Sequence, residues 1–399
     1  MYNAERGLFD LKRGRTLRVV GAAASDRDSA ALAGVVPEED IVAMAVEGLD
    51  AERLERFLAM SAGPARLVVT LHRARLLGWY ADSDGDAERR GAFAVPLAPD
   101  ASAEHVVALS MDRRVAEGED VTGEMAGPAA ASALSLARLG RLLPAVVVAP
   151  VGDVPTAEMT EAVASDAVLE TSTGEICDFV EAARSEIVRV SEAPVPIPGI
   201  DGTESSRFVL FREAYGLEEH VAVLVGEPSG WPEPVPIRLH SACLTGDLFG
   251  SLRCDCGEQL RGSMDYFASR GGGILLYLAQ EGRGIGLGNK FRAYSLQETG
   301  LDTIDADGHL GFGADEREYE IAIAMLHDLG IESVELLTNN PEKVAALEAG
   351  GITVERRQPL FGHLNQHNLP YVRAKAERAG HFLRDMLAQP MRGDRVAGD

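Results

Sequence analysis

The chain has 399 residues, 46% hydrophobic and 25% charged, with a formal net charge of −24 at pH 7. Domains average roughly 100–200 residues, so this length predicts two, each with apolar material for its own core. The acidity excludes a general nucleic-acid binder, which needs a basic surface to displace counterions, and no apolar run of roughly 18 residues exists to span a membrane. The opening MYNAERGLFDLKRGRTLRVV lacks the apolar run and cleavage site of a secretory signal, so the address expected by default is cytoplasmic.

Up to about residue 190 the sequence is rich in Ala and Val. DAERLERFLAM and ASALSLARLGRLL read as helices, and ARLVVTL and PAVVVAPV as short apolar strands. The Pro-, Gly- and Ser-rich segment from Ala193 to Ser206 marks a boundary. Beyond it, PVPIRLHS alternates Val235, Ile237 and Leu239 as a strand, and EQLRGSMDYFASR puts Leu260, Met264 and Phe267 on one helical face. GGILLYLA reads as a buried strand, GNKFRAYSLQETG as a helix ending at Gly300, and DEREYEIAIAMLHDLG as a helix stopped by Gly330, with Asp315 at its start. ESVELLT and GITVERR are strands on either side of PEKVAALEAG, a helix with Pro341 in its first turn. The expected fold is mixed α/β (α+β): two domains, residues 1–190 and 191–399, with mixed sheets and helices packed on them.

Of four cysteines, Cys243, Cys254 and Cys256 fall within RLHSACLTGDLFGSLRCDCGEQL, and Cys177 stands apart. In a reducing compartment such a cluster points to metal binding rather than disulfides. Three thiolates with a fourth position left for water is the plan of a catalytic zinc site; the alternative is that the cysteines are small buried hydrophobes. His240 as a fourth ligand would close the site and make it structural, so it is read as a positioning residue. Further on, QEGRGIGLGNKFRAY combines glycines at 282, 284, 286 and 288 with Arg283, Lys290 and Arg292. Glycines there would let main-chain amides approach an anion, although a plain tight turn has the same composition. Without further context Lys343 reads as a solvated surface lysine.

These strings carry a resemblance. RLHSACLTGD leading into RCDCG is similar to the signature of the GTP cyclohydrolase II family, and the similarity covers about the last two hundred residues. The resemblance implies one zinc per chain on Cys243, Cys254 and Cys256, and magnesium travelling with the phosphates of GTP. It implies GTP contacts from Arg238, Leu239, His240, Ser241, Ala242, Gln259, Glu281, Gly282, Arg283, Thr303, Thr338 and Lys343. Tyr294, Asp315 and Arg317 match positions assigned chemistry, Asp315 as proton acceptor and Arg317 in pyrophosphate displacement. A guanidinium is a poor nucleophile, so stabilising charge on the transferring phosphoryl group is the easier role for Arg317. The implied reaction releases pyrophosphate, opens the guanine ring with zinc-activated water and expels carbon 8 as formate, the entry step of riboflavin synthesis. A homodimer is the expected assembly, with no nucleic-acid or membrane partner.

The match has departures. Ala242 stands where the pattern usually has Glu, Asp307, Gly308 and His309 where it has Asn, His and Gln, and Ala374 where it has Thr. The first half resembles a 3,4-dihydroxy-2-butanone 4-phosphate synthase in LKRGRTLRVV and ALSLARLGRLLPAVVV, but Ala129, Ala130 and Ala131 replace its His-Thr-Glu segment. Its acidic cluster is reduced to GAAASDRDSA, with Asp26 and Asp28. Alanine offers no oxygen to a hard cation, which implies a degenerate domain. Two other readings stand beside the hydrolase: a non-catalytic nucleotide-binding regulator, and a bifunctional enzyme with a live first half.

Overall fold

The computed structural model describes residues 2–21, 39–81, 91–112, 121–197, 206–378, 380–389 and 391. The chain forms two compact units, Met1–Glu181 with Gly288–Asp315, and Ala182–Leu287 with Glu316–Asp399. A break after residue 190 would cut the strand Ile187–Pro194, which pairs along its length with Arg207–Glu213. Asp26, Asp28 and most of the Pro/Gly-rich segment lie outside the described residues. Among the described residues no helix is long and apolar enough to cross a membrane.

The first unit is built on β1 (Leu17–Val20), β2 (Ile41–Ala45), β3 (Arg66–Thr70), β4 (Ala92–Pro96), β5 (Glu124–Met125), β6 (Ala145–Pro150) and β7 (Leu169–Ser172). They form one sheet in the order β5-β4-β3-β6-β2-β1-β7. Neighbours are antiparallel except β1 and β7. Central β2 is buried at all positions, as its unbroken apolar run requires. The helix Pro128–Leu139 lies against β6, β2 and β3 and buries Ala129 and Ala130. Those two alanines are therefore core residues here.

The second unit carries β8 (Ile187–Pro194), β9 (Arg207–Glu213), β10 (Glu219–Val225), β11 (Val235–Ser241), β12 (Gly273–Leu278), β13 (Ser333–Leu337) and β14 (Thr353–Gln358), ordered β14-β13-β11-β12-β10-β9-β8. Pairing is antiparallel from β8 to β12 and parallel from β12 through β11 and β13 to β14. Residues alternate across the two faces. Ala222 and Leu224 meet Met325, Leu326 and Leu347 of the helices Glu320–Asp328 and Pro341–Ala349. Val223 and Val225 meet Leu260, Met264 and Phe267 of the helix Cys256–Arg270, the face expected from their spacing. A small third cluster of Leu364, Val372, Leu383 and Met386 holds the C-terminal helices Leu369–Arg378 and Arg384–Leu387.

One expected helix is shorter than its sequence suggests. It begins at Glu320 with Tyr319 as its cap, so Asp315 is not a helix start. The backbone before it has other partners: Glu316 N–H donates to Arg283 O at 3.2 Å, and Gln280 Nε2 donates to Glu318 O. Gly284, at φ +93°, makes this approach possible, since a Cβ there would lie 2.7 Å from Glu316 O.

Candidate active site

Three parallel strands, β11, β12 and β13, end side by side, and the sequence motifs follow those ends. Open α/β sheets place ligands at the carboxyl ends of such strands. β11 runs into Ala242 and Cys243, β12 into Gln280–Arg283, and β13 into Thr338–Lys343.

The sulfurs of Cys243, Cys254 and Cys256 all lie within 4.8 Å of one another, with Cys243 and Cys254 3.8 Å apart. Tetrahedral zinc with bonds of about 2.3 Å places two thiolates about 3.8 Å apart, so the donor set fits that ion. Gly246 floors the cradle: a Cβ there would stand 2.7 Å from Cys254 Sγ and 3.1 Å from Cys243 Sγ. Shared hydrogen bonds with Cys243 raise the Cys254 thiol to about 11 and Cys256 well above its ordinary value, with burial and mutual repulsion adding to both.

His240 is buried outside this trio. Its Nε2 meets both Asp247 carboxylate oxygens at 3.1 Å, and its ring stacks on Tyr277 at 5.6 Å. Burial lowers the His240 pKa, and Asp247 pulls against that shift. Asp247 also accepts the Tyr277 hydroxyl and the Cys243 main-chain N–H, each at 3.0 Å. Sequence reasoning passed over Asp247 and Gly246 as site residues, although both stand in the quoted Cys-Leu-Thr-Gly-Asp string.

Cations gather beside the sulfurs. Buried Arg238 donates to Leu337 O at 2.8 Å and to Gln259 Oε1, and Gln259 donates onward to Asp255 at 2.6 Å. Burial lowers the Arg238 pKa to about 10, against the pull of Asp255 and Cys256. Lys343, a surface lysine but for the resemblance that makes it a nucleotide contact, is 4% exposed and donates to Leu239 O at 2.8 Å. Lys343 and Arg317 both lie over the Tyr319 ring, at 5.8 and 6.0 Å.

The glycine-rich turn uses its amides internally. Those of Gly282, Gly284 and Gly286 donate to the Glu281 carboxylate, Gln280 O and Glu281 O. This corrects the expectation that these three amides approach an anion. Glu281 also receives the Leu244 N–H at 2.6 Å, which ties the turn to the cysteine loop. Ser241 Oγ donates to Gln280 at 3.2 Å, Ala242 N–H to Leu278 O at 2.8 Å, and Thr338 N–H to Gln358 O at 3.0 Å.

The C-terminal segment adds groups the sequence did not single out. His363 donates its N–H to Glu258 at 2.6 Å, and a Cβ at Gly362 would meet Asp255 Cβ and Glu258 Oε2 at 2.6 Å. Lys375 lies over the Tyr371 ring at 4.1 Å. Burial lowers the Lys375 pKa, while the charges of Asp255 and Cys256 raise it and Arg317 and Arg283 lower it further. Tyr294, Thr303 and Asp315 belong to the first unit. There Lys290 stands 5.8 Å from the Tyr294 ring.

A family model described as GTP cyclohydrolase II matches residues 189–359. GTP cyclohydrolase-2 of Azospirillum brasilense is 42% identical over 343 residues, covering 85% of this chain and 87% of that protein. GTP cyclohydrolase-2 of Xylella fastidiosa strain 9a5c is 45% identical over 261 residues, 63% of this chain and 61% of that protein. Riboflavin biosynthesis protein RibBA of Bacillus subtilis is 51% identical over 166 residues, 42% of each. The chain belongs to the GTP cyclohydrolase II family. Among solved structures, a two-domain 3,4-dihydroxy-2-butanone 4-phosphate synthase from A. baumannii matches 90% of this chain and 99% of its own at 15% identity and TM-score 0.33, a likeness too slight to carry an argument.

Proposed function

We propose that the protein hydrolyses GTP to a 2,5-diamino-6-ribosylamino-pyrimidinone phosphate, formate and pyrophosphate, the first step of riboflavin synthesis. The observation that supports this best is the trio of thiols at zinc spacing beside buried Arg238 and Lys343. Cations gathered at one sheet end give an acidic chain a local positive charge that a polyanion can meet.

Cys243, Cys254 and Cys256 would hold zinc, and magnesium would accompany the phosphates. When bound, zinc supplies the Lewis acidity that brings the pKa of water to about 7. The chain's own groups do the rest. Asp247 fixes the Cys243 backbone and orients His240, while Glu281 joins the cysteine loop to the turn after β12. Arg238, Arg283 and Lys343 offer positive charge to the nucleotide, with Leu239–Ala242, Gln259, Gly282, Thr303 and Thr338 bordering it. Arg317 stabilises charge on the departing pyrophosphate, Asp315 accepts a proton, and Tyr294 orients water or the opened ring. The first half is read as a degenerate synthase-like domain, the assembly as a homodimer, and the address as cytoplasmic.

The test is to incubate the full-length protein with GTP, zinc and magnesium and to measure formate and pyrophosphate together. Both products are expected in equal amounts. GTP bound without formate release would instead identify a nucleotide-binding regulator.

A further inference from the structure

The segment Gly288–Asp315 carries Tyr294, Thr303 and Asp315, yet it is built into the first unit. Its attachment runs through named bonds. Asn289 is buried and donates to Arg141 O at 3.0 Å and Leu142 O at 3.3 Å. Arg292 pairs with Glu47 at 2.9 Å, and Glu47 also accepts the Leu143 N–H at 2.9 Å. Thr70 Oγ1 donates to Gly311 O at 2.6 Å. Arg73, 1% exposed, donates to His309 O and, through Nε and Nη2, to Leu109 O at 3.2 and 2.6 Å.

A buried guanidinium is costly unless its donors are used, so Arg73 holds these carbonyls in one arrangement. Burial lowers its pKa to about 9, opposed by Asp112, which leaves it charged at neutral pH. The family departures Asp307, Gly308 and His309 fall in this same patch. The helix Thr303–His309 packs on the helix Leu71–Leu76, and a Cβ on Gly308 would lie 3.4 Å from Leu76 Cδ2.

We propose that the first domain acts as a positioning module, in which Thr70, Arg73, Glu47 and the Arg141–Leu142 carbonyls fix the segment bearing Tyr294, Thr303 and Asp315. This rests on the reading of those three residues as parts of the GTP site. Arg73 and Asn289 are positioning residues, acting only through the backbone they hold. A domain stripped of its own chemistry thereby keeps a task.

The test uses the full-length, zinc-loaded protein and the variants Arg73→Met, Arg73→Lys and Asn289→Leu. Four quantities are read: kcat and KM for formate release, zinc content, and hydrogen exchange across residues 288–315. Misplacement of reacting groups lowers kcat steeply, so a fall of about tenfold or more is expected, with a smaller rise in KM through Thr303 and unchanged zinc. Exchange should quicken within 288–315 and not in the second unit's sheet, and Arg73→Lys should keep more activity than Arg73→Met. If Arg73→Met does not fold, Asn289→Leu decides. Quickened exchange with unchanged kcat would overturn the proposal, as would unchanged exchange in Asn289→Leu. Should the parent protein release no formate, the GTP reading fails, and exchange alone still decides whether the first domain holds the segment.

Discussion

Cys243 donates its main-chain N–H to the Asp247 carboxylate at 3.0 Å, so one acid anchors the loop that presents the first of three sulfurs. That carboxylate also receives His240 and Tyr277. Groups that orient a ligand without touching the metal change its affinity by roughly 10–100-fold when removed. Asp247→Asn is expected to weaken zinc binding within that range, measured by competition with a chromophoric chelator. Zinc affinity equal to the parent's would remove Asp247 from this role.

Cys254→Ser is expected to leave zinc content near zero and abolish formate release, while the first unit stays folded. His240→Ala should retain its zinc, because the imidazole contacts Asp247 and stands outside the sulfur trio. Metal analysis of both purified variants checks this. Loss of zinc from His240→Ala would show a closed four-ligand site.

The cysteine cluster was legible because its spacing is local: Cys254 and Cys256 are two apart, and Cys243 precedes Cys254 by 11 positions. The strands β11, β12 and β13 were equally plain, each a short apolar run with a turn after it. The role of Asp247 was not legible, since it lies in the bonds the side chain makes rather than in its type. The burial of Lys343 depends on a carbonyl 104 residues away. The excursion of Gly288–Asp315 into the first unit was hidden for the same reason, because Arg73 and His309 are 236 positions apart. Asp315 looked like a helix start because Asp caps helices well, but Glu316 had already paired with Arg283.

Zinc and the basic residues are expected to serve different halves of the reaction. Cys256→Ser should still release pyrophosphate from GTP, since that step relies on magnesium and positive charge. Arg317→Ala should lose both products if phosphoryl chemistry comes first. Parallel formate and pyrophosphate assays check the order, and normal formate release by Arg317→Ala would reverse it.

Lys375 belongs to the cluster formed by Asp255, Cys256, Arg283 and Arg317, on a segment pressed against the start of the helix Cys256–Arg270. A cation so placed favours an anionic ligand. Lys375→Met is expected to raise KM for GTP by roughly tenfold, with zinc content unchanged, if it removes one charge-assisted contact worth roughly 1.5 kcal/mol. Steady-state kinetics at several ionic strengths check this, and an unchanged KM would make Lys375 a packing residue alone.

The last prediction concerns the proposed reading of the first domain as a degenerate synthase-like one. A butanone phosphate synthase needs oxygen ligands for magnesium and side chains that move protons, and Ala129, Ala130 and Ala131 supply neither. In the structure Ala129 and Ala130 are 3% and 7% exposed, inside a helix packed on the central strands. Apolar patterning maintains that framework whether or not a site is present. Incubating the full-length protein with ribulose 5-phosphate and magnesium is therefore expected to give no formate and no four-carbon phosphate above background. Restoring single residues, as in Ala129→His, should not revive the activity, because the helix buries that position and the partners are missing. Enzyme-dependent formation of the four-carbon phosphate would show instead that the domain is alive and draws its metal ligands from elsewhere in the chain.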